Sequence, residues 1–151
     1  MGTLSGDATA EIEAPIERCW ALVEDVAIAP EWQRGLEEMN VIERDGQGRA
    51  VICDSVTDGK IRMFHSRVQF SYEGPRRLAW EQVHGDLKSM RGSWEFAALG
   101  AGLTRVTYRL ELDPGRLGLL LRGRVEASVR AVIVGARPGE LAKRLAGAPS
   151  M

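Results

Sequence analysis

The sequence predicts an α+β domain: a curved antiparallel sheet of about seven strands wrapped on a long C-terminal helix, with two short helices after the first strand. Three observations support this prediction. The last apolar run has helical periodicity, whereas most segments before it alternate between apolar and polar residues, as half-buried strands do. Turn residues separate these segments by two to five positions. Connections this short join neighbouring antiparallel strands.

The first elements are one weak strand and two short helical segments. Residues 9–14 alternate weakly and are predicted as the first strand. Pro15 suits the first position of a helix, and apolar residues at helical spacing extend that helix to about residue 26, with Trp20 in the core. A second short helix is predicted over residues 30–36, with Trp32 on it.

Six strands are predicted to follow, each ended by Gly, Pro, Asp or Asn residues. The first of them begins near residue 36 and ends at the turn 45–48. The other five are predicted at 49–56, 61–72, 78–85, 89–99 and 104–113. One face of each strand is apolar, so one side of the sheet is expected to contact water.

Residues 117–136 are predicted to form the long C-terminal helix. Its apolar residues recur every three or four positions: Leu117, Leu121, Val125, Val129, Val132 and Ala136. A helix with one broad apolar face must bury that face, and the sheet is the natural partner. Pro138 is expected to end or kink this helix near Arg137.

Length and charge limit the class of protein. A chain of 151 residues fits one domain, 1–151, and the net charge of −1 argues against nucleic acid as the main partner. Residues 1–58 carry four arginines and thirteen acidic residues, whereas residues 116–151 carry seven basic and two acidic residues. The favoured interpretation is attraction between these two parts within the fold. The alternative is a basic helix face that binds an acidic partner or lipid head groups.

The two cysteines, Cys19 and Cys53, are too few for a disulfide framework and are expected to be free and buried, as suits a reducing cytoplasm. Neither a signal peptide nor an apolar run long enough to span a bilayer is apparent. With only His65 and His84, no metal-binding spacing exists, and no cofactor motif is present. The expectation is therefore no metal and no cofactor.

Local motifs suggest a family. An Asp25…Pro30-x-Trp32 pattern lies between the two short helices, and Gly92-Ser-Trp-Glu-Phe96 is followed by a second strand motif at residues 104–108. With the element order, these features resemble the START-related helix-grip superfamily and, within it, the polyketide cyclase/dehydrase (SRPBCC) group. The resemblance covers about residues 8–145. It implies the helix-grip fold, with a cavity between sheet and helix, but does not fix the chemistry, because this fold carries many functions.

Inward-facing residues of such a cavity either pack together or contact a ligand. The expected ligand-binding residues are Trp32, Phe64, Ser66, Trp80, Gln82, His84, Trp94, Tyr108, Val125 and Val129. Aromatic walls with a few polar groups are typical of a small-molecule pocket. The catalytic candidates are His84 and Tyr108. The plainer alternatives are that Trp94 is core, that Trp32 only joins the helix pair, that His84 is exposed, and that Tyr108 hydrogen-bonds within the core.

Three functions compete. The first is a carrier of a hydrophobic molecule such as a lipid, isoprenoid or polyketide, which needs only the cavity. The second is a polyketide aromatase/cyclase or dehydratase, which also needs placed proton donors and acceptors. The third is a partner-binding module in which residues 119–121, beside Arg122 and Arg124, contact a membrane surface or an acyl carrier protein. The oligomeric state is left as monomer or homodimer.

Overall fold

The computed structural model describes residues 3–59, 62–116 and 134–147. Seven strands form one curved antiparallel sheet. The strands are β1 (Leu4–Ile12), β2 (Leu36–Arg44), β3 (Ala50–Asp58), β4 (Met63–Glu73), β5 (Arg77–Gly85), β6 (Ser89–Gly100) and β7 (Leu103–Asp113). The predicted strand series is confirmed in order, with bounds that differ by a few residues except at the first strand.

The strand order is β1-β7-β6-β5-β4-β3-β2. The strands β2 to β7 are therefore a meander, in which each strand pairs with the next one along the chain. The first strand returns to pair with the last, with Leu4 opposite Leu112 and Ile12 opposite Thr104. The sheet consequently has β1 and β2 as its two edges.

The first strand begins five residues earlier than predicted. Its inward positions after Leu4 are small residues, with Gly6, Ala8 and Ala10 preceding Ile12. Small residues contribute little to an apolar alternation, so the sequence pattern is weak there. They instead leave room for the C-terminal segment: a Cβ added at Gly6 would lie 3.4 Å from Val134.

Two helical segments follow β1, and the second differs from its prediction. The helix α1 spans Ile16–Glu24, as expected. The second segment is a 3-10 helix, Val26–Glu31, which ends before the predicted bound at residue 36. Trp32 closes it with a backbone N–H donated to Ala29, and the chain enters β2 at Leu36. Segments of 3-10 helix are short because their hydrogen-bond geometry is poor, so tertiary packing sets where this one ends.

A helix continues beyond Pro138. The helix α2 spans Arg137–Gly147, with Pro138 in its first turn. Proline is tolerated there because the N–H groups of a first turn have no intrahelical partner. A turn at Ala136 separates this helix from the residues before it, so the break expected near Arg137 is present, and helical structure resumes beyond it. The predicted helix 117–136 lies mostly outside the described residues.

The core is the apolar inner face of the sheet together with α1 and α2. Trp94, Val106 and Leu141 are fully buried. Trp20 of α1 packs edge-on against Phe96 with ring centres 6.3 Å apart, as a core tryptophan should. This packing fixes the helices to one side of the sheet.

Helix α2 is held to the acidic front part of the chain. Arg144 donates to the Glu31 carboxylate at 2.8 Å, and Arg18 of α1 donates to the backbone oxygen of Leu145 at 3.1 Å. The Arg144–Glu31 pair agrees with the favoured interpretation of the charge asymmetry. Both cysteines are free and buried, and no helix in the described part of the chain is long and apolar enough to cross a membrane.

Candidate functional site

A cavity of about 130 Å³ lies inside the fold, between the inner face of the sheet and the helical segments. Every second residue of a strand points to the same face, so residues from β2 to β7 converge on it. Five residues predicted for the site line this cavity: Phe64, Ser66, Trp80, Trp94 and Tyr108. The 3-10 helix contributes Val26 and Ala29, and α2 contributes Arg137.

The aromatic wall is a connected cluster. Trp80 lies between Phe70 and Tyr108, with ring centres 6.3 and 5.7 Å away. Tyr108 also packs edge-on against Trp94 at 4.8 Å. Aromatic pairs at these distances are favourable. This side of the cavity therefore has a continuous, largely apolar wall.

Gly92 allows Trp80 to occupy this position. It lies on β6 opposite Trp80, and a Cβ added there would meet the indole ring at 2.4 Å. The bare backbone lets the indole lie across the neighbouring strand. A glycine within a strand often marks such a close approach.

The polar groups beside Ser66 hydrogen-bond to one another. The Ser66 hydroxyl donates to the Gln82 side-chain oxygen at 2.5 Å, and the Gln82 amide donates to the backbone oxygen of Leu87 at 2.8 Å. Ser55 donates to the backbone oxygen of Ser66 at 3.3 Å. These contacts give the buried polar groups the partners they require. Gln82 is half-buried and is not among the residues that line the cavity.

His84 lies on the opposite face of the sheet from the cavity. The register of β4 and β5 shifts by one residue, because Val68 pairs with Gln82 while Arg67 pairs with His84. A one-residue shift moves a side chain to the other face. His84 is therefore exposed beside Arg67, and the expectation that it lines the cavity is not met. His65 is exposed, as its strand position predicts.

Trp32 packs against the cavity wall without lining it. It is buried, and its ring centre lies 5.8 Å from that of Trp94. Its indole N–H has no hydrogen-bond partner. The sequence-based alternatives are that Trp32 seals the cavity mouth or joins the helix pair, and the ring contact it makes is instead with the sheet, at Trp94. Val125 and Val129, and the partner-binding residues 119–124, lie outside the described residues.

Arg137 is a cavity residue that the sequence analysis did not identify. It is 3% exposed and lies next to Tyr108, with its guanidinium carbon 5.8 Å from the tyrosine ring centre. Its position was readable from spacing, because Arg137, Leu141 and Leu145 recur every four residues and share the buried face of α2. The expected end of the helix at Pro138 concealed that pattern.

Two contacts hold the Arg137 guanidinium. Its Nη1 donates to the backbone oxygen of Arg34 at 2.7 Å and to the Glu140 carboxylate at 2.9 Å. Glu140 in turn accepts the backbone N–H of Arg34 at 3.2 Å. The buried Nε has no hydrogen-bond partner.

Tyr108 is held as a neutral phenol. Burial raises the pKa of its hydroxyl, and the nearby Arg137 charge opposes that rise. A neutral phenol at physiological pH can donate a hydrogen bond to a carbonyl oxygen. The cavity thus offers an apolar wall with Tyr108 and Arg137 at one place on it. Among the described residues, no cluster of His, Cys, Asp and Glu could hold a metal ion.

Comparison with known proteins gives the family. A family model described as polyketide cyclase / dehydrase and lipid transport matches residues 12–135. The chain belongs to this family. No curated protein sequence matches the chain significantly.

Solved structures share the fold. The chain is similar to TTHA0849 from Thermus thermophilus, with 22% identity, a TM-score of 0.81, and 97% and 99% of the two chains covered. It is similar to a START superfamily protein from Mycobacterium smegmatis, with 16% identity, a TM-score of 0.74 and coverage of 96% and 98%. It is also similar to the Zhui aromatase/cyclase from Streptomyces sp. R1128, with 17% identity, a TM-score of 0.69 and coverage of 99% and 100%. At these identities the likeness establishes the helix-grip fold and not an activity.

Proposed function

We propose that the protein binds a hydrophobic small molecule, such as a lipid, isoprenoid or polyketide-like compound, in the cavity between the sheet and the C-terminal helical segment. The observation that carries the proposal is the aromatic cavity of about 130 Å³ on the inner face of the sheet. The family description, which includes lipid transport, supports the same role.

The volume of the cavity indicates the size of the guest. Typical ligand pockets measure roughly 300–1,000 Å³, whereas an apolar cavity of about 150 Å³ can accept benzene. The part of a guest that enters this cavity is therefore of single-ring size.

Native mass spectrometry of protein purified from its host, with titration by cumene, tests the proposal. We expect a bound apolar molecule, or saturable cumene binding that Val68→Phe abolishes, because Val68 is 2% exposed and lines the cavity. Gln69→Phe is the matched control, since Gln69 is exposed on the other face of the same strand. Wild-type protein that carries no apolar molecule and binds no cumene would contradict the proposal.

We propose catalysis as the second candidate function, in the form of a cyclase or dehydratase that confines its substrate and transfers a proton. The neutral, buried Tyr108 hydroxyl on the cavity wall is the observation that favours it. Tyr108 would donate to a substrate carbonyl, and the aromatic wall would hold the chain in a bent conformation. His84 takes no part in this mechanism, because it lies outside the cavity.

An assay with a linear poly-β-ketothioester as substrate tests the catalytic proposal. Formation of an aromatic product is monitored by its ultraviolet absorbance. We expect Tyr108→Phe to abolish turnover while cumene still binds, and His84→Ala to leave both unchanged. A wild-type protein that binds cumene but forms no product would leave only the carrier function.

We also propose the cytoplasm as the location, on the basis of the free, buried cysteines.

A further inference from the structure

The outer face of the sheet, opposite the cavity, contains a groove of about 760 Å³, the outer groove. Its floor is a row of small side chains on three neighbouring strands, with Ser71 paired to Ala79 and Ala79 to Ser93. Arg109 of β7 lies opposite Ser93 and closes one end of the row. These residues alternate along the strands with those that face the cavity, so the outer groove is a separate site.

The hydroxyl of Ser93 is a buried polar group on the floor of the outer groove. Ser93 is 3% exposed, yet no other residue in the described part of the chain hydrogen-bonds to its hydroxyl. Unlike the indole nitrogen of Trp32, this hydroxyl retains some accessible surface, and that surface opens into the groove. Buried polar groups are nearly always hydrogen-bonded, so the hydroxyl calls for a partner that the groove can admit.

Two arginines beside Ser93 have unused hydrogen-bond donors. Glu95 lies 3.6 Å from both Arg77 and Arg109, and Asp7 lies 3.7 Å from Arg109. These separations exceed the usual N–H···O distance of about 2.7–3.2 Å, and neither guanidinium hydrogen-bonds to any described residue. A hydroxyl group placed between an arginine and a carboxylate can accept from the first and donate to the second.

The charges of the outer groove favour an uncharged ligand. The charged side chains that line it, among the described residues, are three of each sign: Arg77, Arg91, Arg109, Asp7, Glu81 and Glu111. Glu95, which contacts two of the arginines, makes the net charge −1. An anion would therefore add to an excess of negative charge. A cation would leave the serine and arginine donors without an acceptor, because an ammonium group has no lone pair.

We propose that the outer groove binds an uncharged ligand with adjacent hydroxyl groups, a saccharide. Each hydroxyl supplies both a donor and an acceptor, which matches the loosely paired arginines and carboxylates and the hydroxyl of Ser93. The ring of the saccharide lies over the floor, where Ala79 leaves room for it. The volume of the groove is within the range of ligand pockets, roughly 300–1,000 Å³. This site does not depend on the proposed function of the cavity.

NMR titration of the wild-type protein with cellobiose, a disaccharide with adjacent hydroxyls on both rings, tests the proposal. Inorganic phosphate and putrescine are the anionic and cationic comparison probes. We expect cellobiose to cause saturable shifts in the Nε–H signals of Arg77 and Arg109 and in the backbone N–H of Ser93. The backbone N–H of Val68, which lines the cavity, should not shift.

Two substitutions test the same site. Ala79→Leu fills the floor of the groove and should lower the affinity for cellobiose at least tenfold. Ala97→Leu is the matched control, because Ala97 lies on the same face of the sheet, on β6, outside the groove, and it should leave the affinity unchanged. Ser93→Ala should lower the affinity about two- to tenfold, the effect of one lost hydrogen bond.

Three results would overturn the proposal. The first is wild-type protein that shows no saturable shift with cellobiose. The second is phosphate or putrescine that shifts the same signals at lower concentration than cellobiose does. The third is equal cellobiose affinity in wild type and Ser93→Ala, a variant that removes one oxygen atom and keeps the fold testable if Ala79→Leu does not fold. Cumene binding should be unchanged in all three variants, so the outer groove and the cavity function are tested separately.

Discussion

Gly92→Ala is the substitution whose effect follows most directly from the structure. The added Cβ would lie 2.4 and 2.6 Å from two atoms of the Trp80 ring and 2.7 Å from the backbone oxygen of Arg109. Cβ contacts shorter than 3.0 Å are essentially never observed, so the indole or the neighbouring strand must move. Overpacking of this kind typically costs about 1–3 kcal/mol.

A second glycine on β6 provides the control. Gly100 has nothing within 4 Å of an added Cβ, so Gly100→Ala isolates the conformational gain of replacing glycine in a strand, about 0.5–1 kcal/mol. Both variants share that gain, and the difference between them is the overpacking term. At roughly 2–4 °C per kcal/mol for a chain of this size, Gly92→Ala should melt about 2–12 °C below Gly100→Ala.

Thermal unfolding followed by circular dichroism measures this difference, and cumene titration shows whether the displaced indole enters the cavity. Trp80→Leu in the Gly92→Ala background should be less destabilising than Trp80→Leu alone, because the two sites are coupled through direct contact. The rescue should be partial, since the contact with the Arg109 backbone oxygen remains. Equal melting temperatures for Gly92→Ala and Gly100→Ala would refute the close approach of Trp80 to β6.

Three further predictions concern the core and the titrating groups. Leu141→Ala should lower the free energy of unfolding by about 3–5 kcal/mol in denaturant titrations, because Leu141 is 0% exposed; the exposed Lys143→Ala should change it little. Burial raises the pKa of the Cys53 thiol from 9.0 to about 11. As the pH rises, the thiol therefore ionises first in the unfolded chain. The free energy of unfolding of wild type should fall relative to that of Cys53→Ala between about pH 9 and 11, whereas the difference between the two proteins should not change with pH below about 9. The Arg67 hydrogen bond holds the pKa of Asp54 below its usual value, so Arg67→Gln should raise that pKa in an NMR titration, and an unchanged pKa would contradict the pairing.

The strand pattern was predictable wherever large apolar residues alternate. On β4, the inward set that includes Phe64, Val68 and Phe70 is buried, as its parity indicates. On β1, the inward positions are mainly glycine and alanine, and the predicted strand omitted its first five residues. The signal in a sequence depends on side-chain size, whereas pairing depends on backbone hydrogen bonds, which Gly6 and Ala8 make as well as any residue.

The candidate site was predictable in its aromatic part and not in its polar part. Trp80, Trp94 and Tyr108 lie where strand parity places them. His84 does not, because the bulge at the β4–β5 pairing depends on how the two strands pair. The sequence of either strand alone does not predict it. Arg137 was concealed for a related reason: a proline one residue later reads as the end of a helix, although it fits equally well in a first turn.

The sequence alone determined the order of strands along the chain, the buried face of the strands with large alternating apolar residues, and the free state of both cysteines, since these follow from local periodicity and composition. Tertiary structure decided the register between strands, the start of α2 at Arg137, and the presence of a buried arginine on an aromatic cavity wall. Those features depend on contacts between residues far apart in the chain, such as Arg34 with Arg137 and Gly92 with Trp80. Local patterns carry no information about which distant groups will meet.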